Sequence, residues 1–120
     1  MSYFTEVKRW DDATGVDRRP RALELRRECM EEEWGELQDA IEADDVVEIA
    51  DACADLIWTV LGFANVKGLP FDAIWAEVRR SNMDKILPDG SVLRNERGKI
   101  VKPPGWTPPD IAAALALEDV

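Results

Sequence analysis

Glu48, Asp51 and Asp55 recur at three- and four-residue spacing on the approach to an apolar run, LIWTVLGFA, at residues 56–64. In a helix that spacing puts the three carboxylates on one face. The run that follows is apolar all round, so the helix, read as residues 46–67, should be the central and most buried one. A buried helix carrying an acidic stripe can fold only if something answers the stripe.

The preceding segment, residues 21–43, is also helical in pattern. Leu23, Met30, Trp34, Leu37 and Ile41 recur at three- and four-residue spacing. Pro20 opens it where a missing N–H does no harm. Glu33 and Glu36, three apart, share a face, with Glu32 beside them. Asp44 and Asp45 are good helix N-caps. The connection is short, so the two helices should turn back on each other and bring Glu33 and Glu36 opposite Glu48, Asp51 and Asp55. Trp34, Trp58 and Trp75 fall at apolar helical positions and read as core.

The charge supports a local site. Net charge is −10, yet residues 31–60 hold eleven acids and no base, and the rest of the chain is near neutral. A solubility surplus would be scattered. Opposed carboxylates repel, and desolvating each of them costs several kcal/mol. No Lys or Arg within 31–60 answers them; a cation would. An all-oxygen donor set suits Mg²⁺, with Mn²⁺ as the alternative. The field disfavours direct nucleic-acid binding.

Other classes drop out. There is no histidine, which removes Ser-His-Asp and Cys-His catalysis and His-ligated zinc. Cys29 and Cys53 lack metal-knuckle spacing, and a reducing cytoplasm fits them. The longest apolar stretch is about half a membrane span, and no secretory signal opens the chain, so a membrane partner is not expected.

A short helix is expected over residues 3–13 and another over 71–84, with Phe71, Ile74, Trp75 and Val78 on one face. After Leu87 prolines and glycines accumulate. SVLRNERGKIV suggests a small hairpin around Asn95–Gly98, and Pro109-Asp110 a last short helix. The expectation is one all-α domain over residues 1–120, a bundle of four to five helices. Its core would span 20–86, and its Pro/Gly-rich C-terminal extension 87–120 would wrap back. The basic side chains downstream, Arg79, Arg80, Lys85, Lys99 and Lys102, can face an anion. The apolar faces, rich in tryptophan, call for a homodimer or homotetramer.

The EExxE string at 32–36 is followed by ExxD at 48–51. Together with EIADACADLIWTVLGFANVKGLP (48–70), RSNMDK (80–85), Asp89-Gly90 and GKIVKPPGWTPPDI (98–111), it resembles the all-α nucleoside triphosphate pyrophosphohydrolases. Within that superfamily the likeness is to the MazG-like, phosphoribosyl-ATP-pyrophosphohydrolase-like branch. It covers about residues 22–111. The resemblance implies hydrolysis of a nucleoside triphosphate to the monophosphate and pyrophosphate. Mg²⁺ would sit on Glu33, Glu36 and the stripe of Glu48, Asp51 and Asp55, and Glu32 or Glu33 would activate water. Asn82, Lys85, Lys99 and Lys102 would contact substrate. Many members carry ExxD immediately before the apolar run; here Ala52 stands three before Asp55, so both Glu48–Asp51 and Asp51–Asp55 remain open as the ligand pair. A dUTPase or a phosphoribosyl-ATP hydrolase shares the motif. A non-catalytic acidic protein that meets a basic partner is the reading from another class.

Overall fold

A computed structural model describes residues 1–117. The last three residues of the expected domain lie outside the described residues. The chain is all-α. Its helices run α1 Tyr3–Thr14, α2 Pro20–Ala43, α3 Val46–Lys67, α4 Phe71–Met83 and α5 Ile111–Leu115. The chain divides into two compact units, Met1–Phe71 and a second that begins at Asp72.

The first unit is α1, α2 and α3, with α3 packed against both others. Its boundaries follow from local chemistry. Ser2 caps α1 by accepting from the Thr5 N–H at 3.0 Å. Pro20 sits at the start of α2, as expected. Asp45 caps α3, its carboxylate accepting from the Glu48 N–H. Asp44 does something else: it closes α2 in a left-handed conformation, φ 51°. A short polar side chain tolerates that region better than most residues. So the two aspartates end one helix and start the next, and the chain reverses in two residues. Gly68, φ 79°, closes α3, with its N–H and that of Leu69 returning to Ala64 and Asn65 carbonyls.

The core sits where α1 crosses the C-terminal half of α3. Phe4 and Val7 of α1 pack with Leu61 and Ala64 of α3, and Leu69 and Phe71 close over them. Phe4 and Phe71 meet with ring centroids 5.5 Å apart. Burying a side chain such as Phe4 or Leu61 contributes about 1.5–3 kcal/mol.

Two expectations need correcting. Helix α3 is central, but it is not buried all round: Cys53, Ile57 and Val60 are exposed. The three tryptophans read as core are not core in the single chain: Trp34 is 52% exposed, Trp58 39% and Trp75 61%. Helical apolar spacing says that a face wants cover. It does not say that the same chain supplies it.

In the second unit, α4 leads into a loop held by two isolated antiparallel bridges, Ile86 to Val92 and Arg94 to Ile100. The expected turn is there: the Asn95 N–H donates to the Lys99 carbonyl, and Gly98, φ 79°, returns its N–H to Asn95. The Pro-rich segment is tied to α4. The Arg80 guanidinium donates to the Pro108 carbonyl at 3.0 Å, and Glu77 accepts from the Asp110 N–H at 2.8 Å. Asp110 then caps α5.

Candidate active site

The reversal at Asp44–Asp45 lays the acidic faces of α2 and α3 against each other. Glu33 is half-buried, and its Oε2 is out of solvent with no hydrogen-bond partner. Its carboxyl is pushed above the usual range, first by burial, then by the Glu36 side chain at hydrogen-bonding range, then by the charges of Asp55 and Asp51. Three of the five expected ligands, Glu36, Asp51 and Asp55, therefore act on a fourth, Glu33. The fifth, Glu48, lies further along. It lines a cavity of about 300 Å³ with Glu36, Asp39, Asp45 and Asp51, floored by Ala40 and Ala52.

This arrangement bears on the choice left open by the sequence. Asp51 and Glu36 belong to both groupings. Asp55 stands with Glu33 and Glu48 with the cavity, so the stripe is one continuous acidic seam with Glu36 and Asp51 at its centre. Glu32 is exposed and is not among the groups that act on Glu33.

The seam fits a divalent cation in its chemistry. Its donors are all oxygens, which suits Mg²⁺ or Mn²⁺. One carboxylate oxygen is buried and unsatisfied, which costs free energy unless a cation or a proton meets it. Among the described residues no Lys or Arg forms an ion pair with any of the five. The seam is open rather than caged: among the described residues no three Asp, Glu or Cys side chains already close on one point.

In the second unit, the residues expected to contact substrate separate. Asn82 and Lys85 are linked, the Lys85 ammonium donating to Asn82 Oδ1 at 3.2 Å. Lys102 and Lys85 both approach the Trp106 ring, at 4.9 and 5.4 Å from its centroid. Lys99 is exposed in the turn, its backbone N–H donating to Asn95 Oδ1. Arg80 is committed within the unit, to Glu77 and Asp84 at 2.8 Å each.

Two features went unseen in the sequence. One is Trp106, an indole in the Pro-rich tail that gathers two lysines. The other is a buried polar knot in the first unit. Asp11 is fully buried, paired with Arg26 at 3.0 Å and accepting from the Asn65 amide at 2.8 Å. Arg18 donates to the Asn65 and Val66 carbonyls. Gly62 lies beneath Arg26, where a Cβ would come within 2.6 Å of Nη1. A signal did exist: Phe4, Val7 and Asp11 share a helical face, so Asp11 is an acid on a core stripe.

Among the described residues no helix is long and apolar enough to cross a membrane. The chain is 39% identical over 56 residues to uncharacterized protein L479 of Acanthamoeba polyphaga mimivirus, a match that covers 47% of this chain and 22% of that protein. The acidic seam and the first turns of the second unit fall inside a longer match. Residues 6–82 fit the model of the phosphoribosyl-ATP pyrophosphohydrolase family, and the chain belongs to that family.

Proposed function

We propose that this chain is a Mg²⁺-dependent nucleoside triphosphate pyrophosphohydrolase. It would convert a nucleoside or deoxynucleoside triphosphate and water to the monophosphate and pyrophosphate. Family membership supports pyrophosphohydrolase chemistry on nucleotides in general. The observation that carries the metal-dependent form is the buried, unpartnered Glu33 oxygen in a seam of mutually repelling carboxylates.

Glu33, Glu36, Asp51 and Asp55, with Glu48 beside them, are the residues that would hold the ion; Mn²⁺ would suit the same donors. Bound there, it would neutralise charge on the phosphate oxygens. The seam by itself repels a triphosphate, so the ligands and the substrate share one counter-charge. Glu33 is the residue we assign to water activation, with Glu32 as the alternative. Its place in the seam, with one buried oxygen free of any hydrogen-bond partner, suits it to take the proton as the water oxygen bonds to the α-phosphorus and the α–β bridging oxygen leaves with pyrophosphate. Asn82, Lys85, Lys99 and Lys102 are assigned to the substrate, the lysines for phosphate and the Asn82 amide for base or sugar.

We further assign self-association, as a homodimer or homotetramer, to the apolar face that α2 and α3 expose. Trp34, Ile41, Ile57 and Val60 would otherwise meet water. A cytoplasmic setting fits the reading.

The deciding experiment is turnover of a panel of NTPs, dNTPs, dUTP and phosphoribosyl-ATP, with Mg²⁺ or chelator, resolving pyrophosphate from phosphate. Metal-dependent pyrophosphate release that is lost in Glu36→Gln and Asp51→Asn is expected, and the panel names the substrate. No turnover on any nucleotide, with no thermal stabilisation by Mg²⁺, would overturn the proposal.

A further inference from the structure

Trp106 lies in a Pro-rich tail, where an indole has little reason to be half-buried. It is held: its Nε1–H donates to the Ser81 carbonyl at 2.6 Å. Around the ring stand two ammoniums from distant parts of the unit, Lys85 from the end of α4 and Lys102 from the tail. The tail that carries Lys102 is itself pinned, by Arg80 on the Pro108 carbonyl and by Glu77 on the Asp110 N–H.

Gathering like charges costs Coulomb energy, and carboxylates usually offset it. Here they do not. The chain carries a net charge of −10, yet among the described residues neither Lys85 nor Lys102 forms an ion pair. The negative face of the indole attracts each cation without spending its donors. Of the six ammonium N–H groups, one is used, by Lys85 on Asn82 Oδ1. Cations held on an aromatic ring with free donors are primed for an anion that has several oxygens and more than one charge.

We propose that Trp106 is a positioning residue that holds Lys85 and Lys102 as one receptor for a pyrophosphate-class anion. The choice of anion rests on the pyrophosphohydrolase reading; the receptor itself lies wholly within the second unit. Trp106 acts through the lysines, and Lys99, in the exposed turn, is not part of it.

The test is calorimetric titration of the full chain with inorganic pyrophosphate, in chelator and at low salt. Binding that weakens with salt is expected. Lys85→Gln and Lys102→Gln should each weaken it about tenfold. Trp106→Leu, which leaves both lysines in place but unheld, should weaken it by a similar factor. Trp106→Phe keeps a ring face and should recover to within about threefold of wild type. Arg97→Gln, an equal charge loss in the same tail, should bind as wild type. No binding by the wild type overturns the proposal. So does Trp106→Leu binding as wild type, or Arg97→Gln losing as much as Lys102→Gln, which would mean diffuse attraction. Circular dichroism reports folding; if Trp106→Leu does not fold, the Phe and Lys102→Gln variants decide. Turnover is measured alongside. Failure of wild-type hydrolysis sinks the proposed function and leaves the titration to judge the receptor, whereas hydrolysis with a Trp106 indifferent to pyrophosphate sinks the receptor alone.

Discussion

Replacing Asp11 with alanine should cost this protein a large part of its stability, although Asp11 stands in the first helix, away from the acidic seam. The carboxylate is 0% exposed and answers two donors, Arg26 Nη2 at 3.0 Å and Asn65 Nδ2 at 2.8 Å. Removing one partner of a buried pair strands the other, at about 3–5 kcal/mol. The Arg26 side chain keeps 22% exposure, so water can answer part of its charge, which favours the low end. Asn65 is only 4% exposed, and its unmet amide adds toward the middle. About 3–4 kcal/mol follows. With an unfolding entropy of about 2 cal/mol/K per residue, each kcal/mol moves Tm by about 4 °C at this size. The expected fall is therefore about 12–16 °C, read by circular dichroism at 222 nm. Urea unfolding should show a lower midpoint at an unchanged slope. Removing both charges, as Asp11→Leu with Arg26→Met, should recover most of the loss, because neither then strands the other. A single variant within about 0.5 kcal/mol of wild type, below the effects expected of such pairs, would refute the reasoning. A double variant as damaged as the sum of the singles would refute it too.

The same knot makes Gly62→Ala destabilising by about 1 kcal/mol on balance, because the Arg26 guanidinium can yield to the new Cβ only by loosening its pair with Asp11, while the helix preference of Ala over Gly offsets part of that cost; thermal melts should show the cost vanishing in an Asp11→Ala background. Glu33 titrates above its ordinary 4.5 in the folded chain, so its contribution to folding is present below that value and is lost as pH rises through the raised one. In chelator, Glu33→Gln should melt higher than wild type at pH 8, and the difference should shrink toward pH 4; a difference that grows in acid would contradict the cause assigned. With Mg²⁺ present the order should reverse at pH 8, since the deprotonated carboxylate is then met by a cation. Because Asp51 belongs to both halves of the seam, Asp51→Asn should lower Mg²⁺ affinity by about 100-fold and Glu48→Gln by about 10-fold, as titration calorimetry would resolve. Ile57→Glu on the exposed face of α3 should shift sedimentation to the monomer without lowering helix content.

Helix ends were legible because single residues decide them. Pro20, Asp45, Gly68 and Asp110 each impose a local backbone state, and each stands at the boundary it implies. The acidic seam was legible too, since residues three and four apart on a helix must share a face whatever surrounds them. What spacing could not give was register. Whether Glu33 meets Glu48 or Asp55 depends on how tightly the chain reverses between α2 and α3, and that rests on Asp44 adopting a left-handed conformation that few residues other than glycine adopt readily. Reading Asp44 as an N-cap leaves the reversal itself in view, since the connection is short, but hides the left-handed turn that sets its register. The tryptophans fail for a related reason. Apolar periodicity measures how much a face gains by leaving water, and that gain is the same against α1 or against a second subunit. Asp11 shows the opposite limit. Its place on a core stripe was visible, but its partners lie 15 and 54 residues away, and only the packed fold brings them to it. Residues whose energy comes from their own turn of helix can be read from the chain. Those whose energy comes from a distant partner show in the chain only as an exception to the pattern: an acid among apolar residues, or a tryptophan among prolines.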